Sequence, residues 1–89
     1  MRQAVREQAM ARLRRLEGQV RGIARMVQED AYCIDVLTQL QAVSAASESL
    51  GLLLLDDHVR TCVADALQSG DGDQKLDELS AAVRRFVRR

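Results

Sequence analysis

Three residues in this chain have the chemistry of soft-metal ligands: Cys33, His58 and Cys62. His58 is the single histidine and the two cysteines are the full complement. On a helix, His58 and Cys62, four apart, stand above one another on one face. Cys33 lies 25 residues before His58, which a continuous helix converts into roughly 38 Å. One protomer therefore cannot bring the three together. If the same helix of a second copy runs antiparallel, Cys33 faces the end that carries the partner's His58 and Cys62. The set then converges twice, once at each end of a two-fold dimer. Two thiolates and one imidazole suit Cu(I), which thiolate selects and a trigonal site satisfies. Zinc follows with a water or carboxylate as fourth ligand, and Ni(II), which wants more nitrogen, trails.

The element that must position these residues is the run 31–67, which contains no proline and one internal glycine, Gly51. It reads as one long helix, with Asp30 as its N-cap. Cys33 then sits in the first turn, where the positive end of the helix dipole favours a negatively charged ligand sulfur. The bland reading of a cysteine is a small buried hydrophobe, but two cysteines in register with the one histidine weigh against it. Ile34, Leu37, Leu40, Val43, Leu50, Leu53 and Leu54 spread apolar surface over several faces. The middle is small: Ser44, Ala45, Ala46 and Ser47. Setting Cys33 opposite residues 58–62 puts the crossing point near residues 46 and 47, where two backbones must pass closely.

A first helix reads from about Arg2 to Val27. Leu13, Leu16, Val20, Ile23 and Val27 form a seam that wants a partner helix. Gly18 and Gly22 interrupt that helix and suggest close approach by another helix or a ligand. Arg14, Arg21 and Arg25 share a stripe with Gly18, while Arg12 and Arg15 are neighbours three apart. The segment 69–73, Ser-Gly-Asp-Gly-Asp, reads as a loop. It opens like a calcium loop, but Lys75 falls on a ligand position and no glutamate closes the twelve-residue span, which excludes that reading. A third helix, from Asp73 or Gln74 to Arg88, carries Leu76, Leu79, Val83 and Phe86 on one seam and has the length of a lid over the end of a dimer.

The fold class that follows is all-α: a three-helix protomer with a long central helix, residues 1–89 forming one domain. The 89 residues are 47% apolar yet include no tryptophan, one tyrosine and one phenylalanine. So thin a protomer leaves apolar surface wet, and an antiparallel dimer assembling further into a tetramer is the expected remedy. Net charge is zero, but residues 1–25 hold seven arginines against Glu7 and Glu17. Residues 26–80 hold eleven acids against Arg60 and Lys75. An arginine-rich end on an acidic body suits a phosphate-binding surface, and the competing reading is a solvated helix face. Met1 to Met10 is polar and no apolar leader is seen, while Leu52 to Leu55 is too short to span a bilayer. A cytoplasmic protein with no membrane role is expected, in which a structural disulfide is disfavoured. No phosphate loop is present, and one histidine builds no Ser/His/Asp set, so no enzyme is expected.

The segments RLRRLEGQVRGI (12–23), DAYCIDVL (30–37) and HVRTC (58–62) together resemble the copper-sensitive operon repressor family, CsoR, with the likeness extending from Met10 to Phe86. The resemblance implies an all-helical antiparallel dimer, usually paired into a tetramer, that binds operator double-stranded DNA when metal-free and releases it on binding Cu(I). It implies Cys33 of one protomer with His58 and Cys62 of the other as ligands. Tyr32 and Glu78 match positions that hydrogen-bond around the histidine and carry metal binding into helix movement. The nickel or cobalt branch typically adds a histidine near the N-terminus, and the persulfide-sensing branch lacks the His58 equivalent. The formaldehyde-sensing branch does not keep the Cys/His/Cys set. The implied DNA surface is the basic face of the first helix, with Arg12 and Arg15, then Arg14 and Arg21, as contacts and Arg84, Arg85, Arg88 and Arg89 as auxiliaries.

Two other readings stand beside a copper-responsive repressor. A metal-buffering protein has no use for the arginine patch, and a helical interaction module with core cysteines would bind no stoichiometric Cu(I). A relative sensing another metal or a thiol-reactive inducer is the nearest variant.

Overall fold

A computed structural model describes residues 1–87. Helix α1 (Gln3–Gln28) and helix α2 (Cys33–His58) form an antiparallel hairpin. Beyond His58 the helix continues through a π turn (Val59–Val63) into α3 (Ala64–Ser69). Gly70 in the left-handed conformation (φ 93°) ends that rod, and α4 (Gly72–Phe86) folds back along it. The described residues are thus all helical, in three rods: α1, the run α2–π–α3, and α4. None of these helices is long and apolar enough to cross a membrane.

The hairpin turn corrects one expectation. Asp30 is not the N-cap of the central helix; it has φ 55° and closes α1. Its N–H donates to the Val27 carbonyl, and the Ala31 N–H to that of Met26, the paired bonds by which a left-handed residue seals a helix C-terminus. Tyr32 occupies the N-cap of α2 without a side-chain cap, and Cys33 is the first helical residue. The second turn is also tighter than expected: helix resumes at Gly72, leaving Gly70 and Asp71 as the loop. Arg88 and Arg89, expected as auxiliaries and as the end of the third helix, lie outside the described residues.

Packing divides the apolar seam of α1. Val5, Ala9 and Ile23 are buried in the hairpin and Leu16 is half-buried, whereas Leu13, Val20 and Val27 are 44%, 53% and 59% exposed. The period-seven triplet therefore faces away from the hairpin. On α2, Ile34, Leu37, Leu40 and Leu52 are likewise exposed. Nothing lies within 4 Å of a side chain built at Gly18 or Gly22, so the close approach expected there does not occur within the chain.

The protomer is thin. Its extents are 56 × 28 × 13 Å and its radius of gyration is 17.1 Å, against about 12 Å for a compact domain of this length. Its accessible surface is 6911 Å², where a compact monomer of this mass exposes about 5,200 Å². The excess, about 1,700 Å² for one protomer, is about twice the roughly 800 Å² that each partner gives up in a standard stable interface.

Candidate metal centre and nucleic-acid face

Cys33 opens α2, and its side chain is a free, exposed thiol. His58 closes the same helix and is half-buried; Cys62, also a free exposed thiol, lies inside the π turn. Among the described residues no three metal-ligating side chains gather within the chain. The rod holds the Cys33 sulfur at one end and the His58–Cys62 pair towards the other, as a 26-residue helix must.

Nothing in the residue pattern announces the π turn. It carries an extra residue per turn, so whatever follows is rotated by about 100° relative to an unbroken α-helix. Thr61 supplies a local cause. Its hydroxyl donates to the Asp57 carbonyl at 2.9 Å, the back-bonding that loosens and bends helices. The same oxygen lies 3.6 Å from Cys62 Sγ. Val63 at the end of the turn and Ala66 beyond it are buried, while Arg60 within the turn stays outside and pairs with Asp56 at 3.0 Å.

Asp57, beside His58, is a second feature that sequence reasoning does not reach. It is 2% exposed, and Arg2 Nε donates to its Oδ1 at 2.6 Å. That hydrogen bond from Arg2 holds the Asp57 carboxyl below its ordinary value, and burial pushes the other way. The signal available in sequence is weak: two adjacent aspartates at the end of an apolar run, one of which must turn inward.

Tyr32, expected near the histidine, lies at the opposite end of α2 from His58, and Glu78 stands on α4. Tyr32 is largely exposed at the start of α2. The Glu78 carboxylate lies 3.6 Å from Lys75 Nζ on the same helix.

On the nucleic-acid side, Arg12 and Arg15 come together. They line one groove of about 290 Å³ between α1 and α2, with Leu16, Gln19, Ala46 and Ser49. Arg12 Nη1 donates to Ser49 Oγ at 3.3 Å, which draws its stem down onto the hairpin. Arg14 is exposed on another stripe, and Arg21 lies 3.8 Å from Glu17 in an exposed i,i+4 pair that holds it only weakly.

Residues 5–85 match the family model described as metal-sensitive transcriptional repressor. The chain belongs to that family. This repressor is 60% identical over 79 residues to the copper-sensing transcriptional repressor RicR of Mycobacterium tuberculosis, with 86% of the chain and 82% of RicR covered. Over 83 residues it is 49% identical to the copper-sensing transcriptional repressor CsoR of Bacillus subtilis, covering 93% of the chain and 82% of that relative. The crystal structure of the copper-sensing repressor CsoR with Cu(I) from Geobacillus thermodenitrificans superimposes with a TM-score of 0.91 at 42% identity, over 99% of this repressor and 92% of that chain. The nickel-responsive regulator InrS gives a TM-score of 0.77 at 41% identity, over 91% of each chain. The relatives are transcriptional repressors rather than enzymes.

Proposed function

We propose that this chain is a Cu(I)-responsive transcriptional repressor, a single domain over residues 1–89 that joins metal sensing to DNA binding in the cytoplasm. The observation that carries the proposal is the placement of Cys33 at the head of α2 and of His58 and Cys62 around the π turn, with both sulfurs exposed. No chain completes the set alone, so two antiparallel copies form each site: Cys33 of one with His58 and Cys62 of the other. The exposed apolar faces and the excess surface support such a dimer and its pairing into a tetramer.

The donor set fits the metal. Two thiolates and an imidazole satisfy three-coordinate Cu(I) and leave Zn(II) a ligand short. A nickel-responsive relative shares the fold, but a single histidine per chain gives this site too little nitrogen for Ni(II). Tyr32 and Glu78 would orient the His58 ring. Metal-free protein would hold operator DNA through Arg12 and Arg15, with Arg14 and Arg21 alongside, mainly by phosphate contacts. Cu(I) would favour a conformation of low DNA affinity, and by reciprocity DNA would weaken Cu(I) binding.

Fluorescence anisotropy of the protein's own promoter DNA, at fixed salt and without oxygen, tests this. One Cu(I) per protomer should abolish binding, while Zn(II) should not. Unchanged binding with Cu(I) would reject copper sensing but keep the DNA role, and no binding at all would favour a metal buffer. In His58→Ala two thiolates still take up Cu(I), but release of DNA should fail; normal release by that variant would remove His58 from the coupling.

A further inference from the structure

We infer that the Arg2–Asp57 ion pair is the mechanical link between the metal-binding turn and the DNA-binding helix, an inference that rests on the function proposed above. Asp57 immediately precedes His58, and its carbonyl receives the Thr61 hydroxyl at the start of the π turn. Its carboxylate is almost wholly withdrawn from water, yet its partner cation comes from Arg2, 55 positions away at the head of α1. The side chain of Asp57 thus ends on α1, while its backbone lies in the last turn of α2, directly before His58 and the π turn that carries Cys62.

A pair of this kind is stiff. The Asp57 side chain is 3% exposed and that of Arg2 is 51% exposed, so the carboxylate is shielded from water on the Asp57 side only, and displacement of Asp57 either carries Arg2 with it or breaks the bond. Exposed pairs such as Arg60–Asp56 and Arg21–Glu17 are held within single helices and surrounded by water, and they transmit little. The Arg2–Asp57 bond crosses between rods, at the end of the hairpin that carries His58 and Cys62. Ten residues on from Arg2, the same helix presents Arg12 to the groove. Rotation of the 57–63 turn about a captured metal would therefore tilt α1 and its arginines through this bond. Arg2 and Asp57 are positioning residues: neither needs to touch metal or DNA.

Reciprocity supplies a test that requires no metal. Hydrogen exchange of the 57–63 segment is measured in metal-free wild type, Arg2→Ala and Arg2→Lys, with and without saturating promoter DNA. DNA should alter exchange at 57–63 in the wild type and in Arg2→Lys, which keeps the cation, but not in Arg2→Ala. Cu(I) titration of the DNA complexes gives a second readout. The ratio of metal-free to Cu(I)-loaded DNA affinity, ordinarily about 5- to 150-fold in allosteric proteins, should fall below about 5-fold in Arg2→Ala. Cu(I) affinity and helical content should not change. An Arg2→Ala protein that keeps the DNA effect on 57–63 would overturn the link alone. A wild type that binds no DNA would overturn the functional reading and the link with it.

Discussion

The ring of Phe86 lies on the bare backbone of Gly51, the place where the end of α4 touches α2. A side chain built at Gly51 would occupy the space of that ring, although Phe86 is 45% exposed and able to swing aside. Gly51→Ala should therefore displace the ring and detach the last turn of α4. Overpacking of this kind costs about 1–3 kcal/mol, offset by the 0.5–1 kcal/mol or so that alanine gains over glycine inside a helix. In a Phe86→Ala background the clash is gone, and Gly51→Ala should become stabilising by about 0.5–1 kcal/mol. Urea midpoints of the four proteins in this cycle test the interaction; effects that simply add would remove it.

The Phe86–Gly51 packing also marks where sequence reasoning reaches and where it stops. The three rods, the separation of Cys33 from His58 and Cys62 along one rod, and the pairing of Arg12 with Arg15 follow from periodicity and from 1.5 Å per residue, which are local properties. An aspartate between two helices suits an N-cap, and only the backbone shows Asp30 in the left-handed conformation that ends α1. The apolar seam of α1 reads as one stripe, but a heptad pattern does not say which members face the hairpin and which face another copy. Leu13, Val20 and Val27 point away from it. The π turn and the Arg2–Asp57 pair are invisible in sequence for a common reason: each depends on bonding partners fixed by tertiary packing.

The proposed intersubunit site makes a prediction that no intrachain site shares. Cys33→Ser and Cys62→Ser proteins should each lose tight Cu(I) binding. Co-refolded together, they should regain it, because a mixed antiparallel dimer contains roughly one intact site. That site pairs Cys33 of one variant with His58 and Cys62 of the other. Anaerobic Cu(I) competition with a colorimetric chelator reads the recovery, and a mixture that binds no better than its components would exclude the antiparallel arrangement.

For the DNA face, Arg12→Ala and Arg15→Ala should weaken promoter binding across sequences, since arginines of this type bind mainly phosphate. The slope of log affinity against log salt concentration should shallow by about 0.9 for each phosphate that the variant no longer neutralises. Arg21→Ala, which frees Glu17 from an exposed pair, should have the smaller effect of the three. A salt slope unchanged in Arg12→Ala would assign that arginine to the hairpin through Ser49 and not to DNA.

Asp57 contributes to the acid sensitivity of the hairpin. Its carboxyl is held below its ordinary value of 3.8 chiefly by the hydrogen bond from Arg2, so the folded state binds this proton less readily than the unfolded chain does. The sign follows from linkage: this contribution to stability is fully present above the unfolded value and is lost as pH falls through the folded one. Stability should therefore drop below about pH 4 more steeply than in Asp57→Asn, whose side chain does not titrate. Arg2→Ala should flatten the same limb, because it removes the group that lowers the Asp57 value. Urea midpoints between pH 2.5 and pH 6, roughly the range over which carboxylates titrate, would show the difference. Parallel acid limbs in the wild type and Asp57→Asn would mean that the Arg2 bond does not persist in solution.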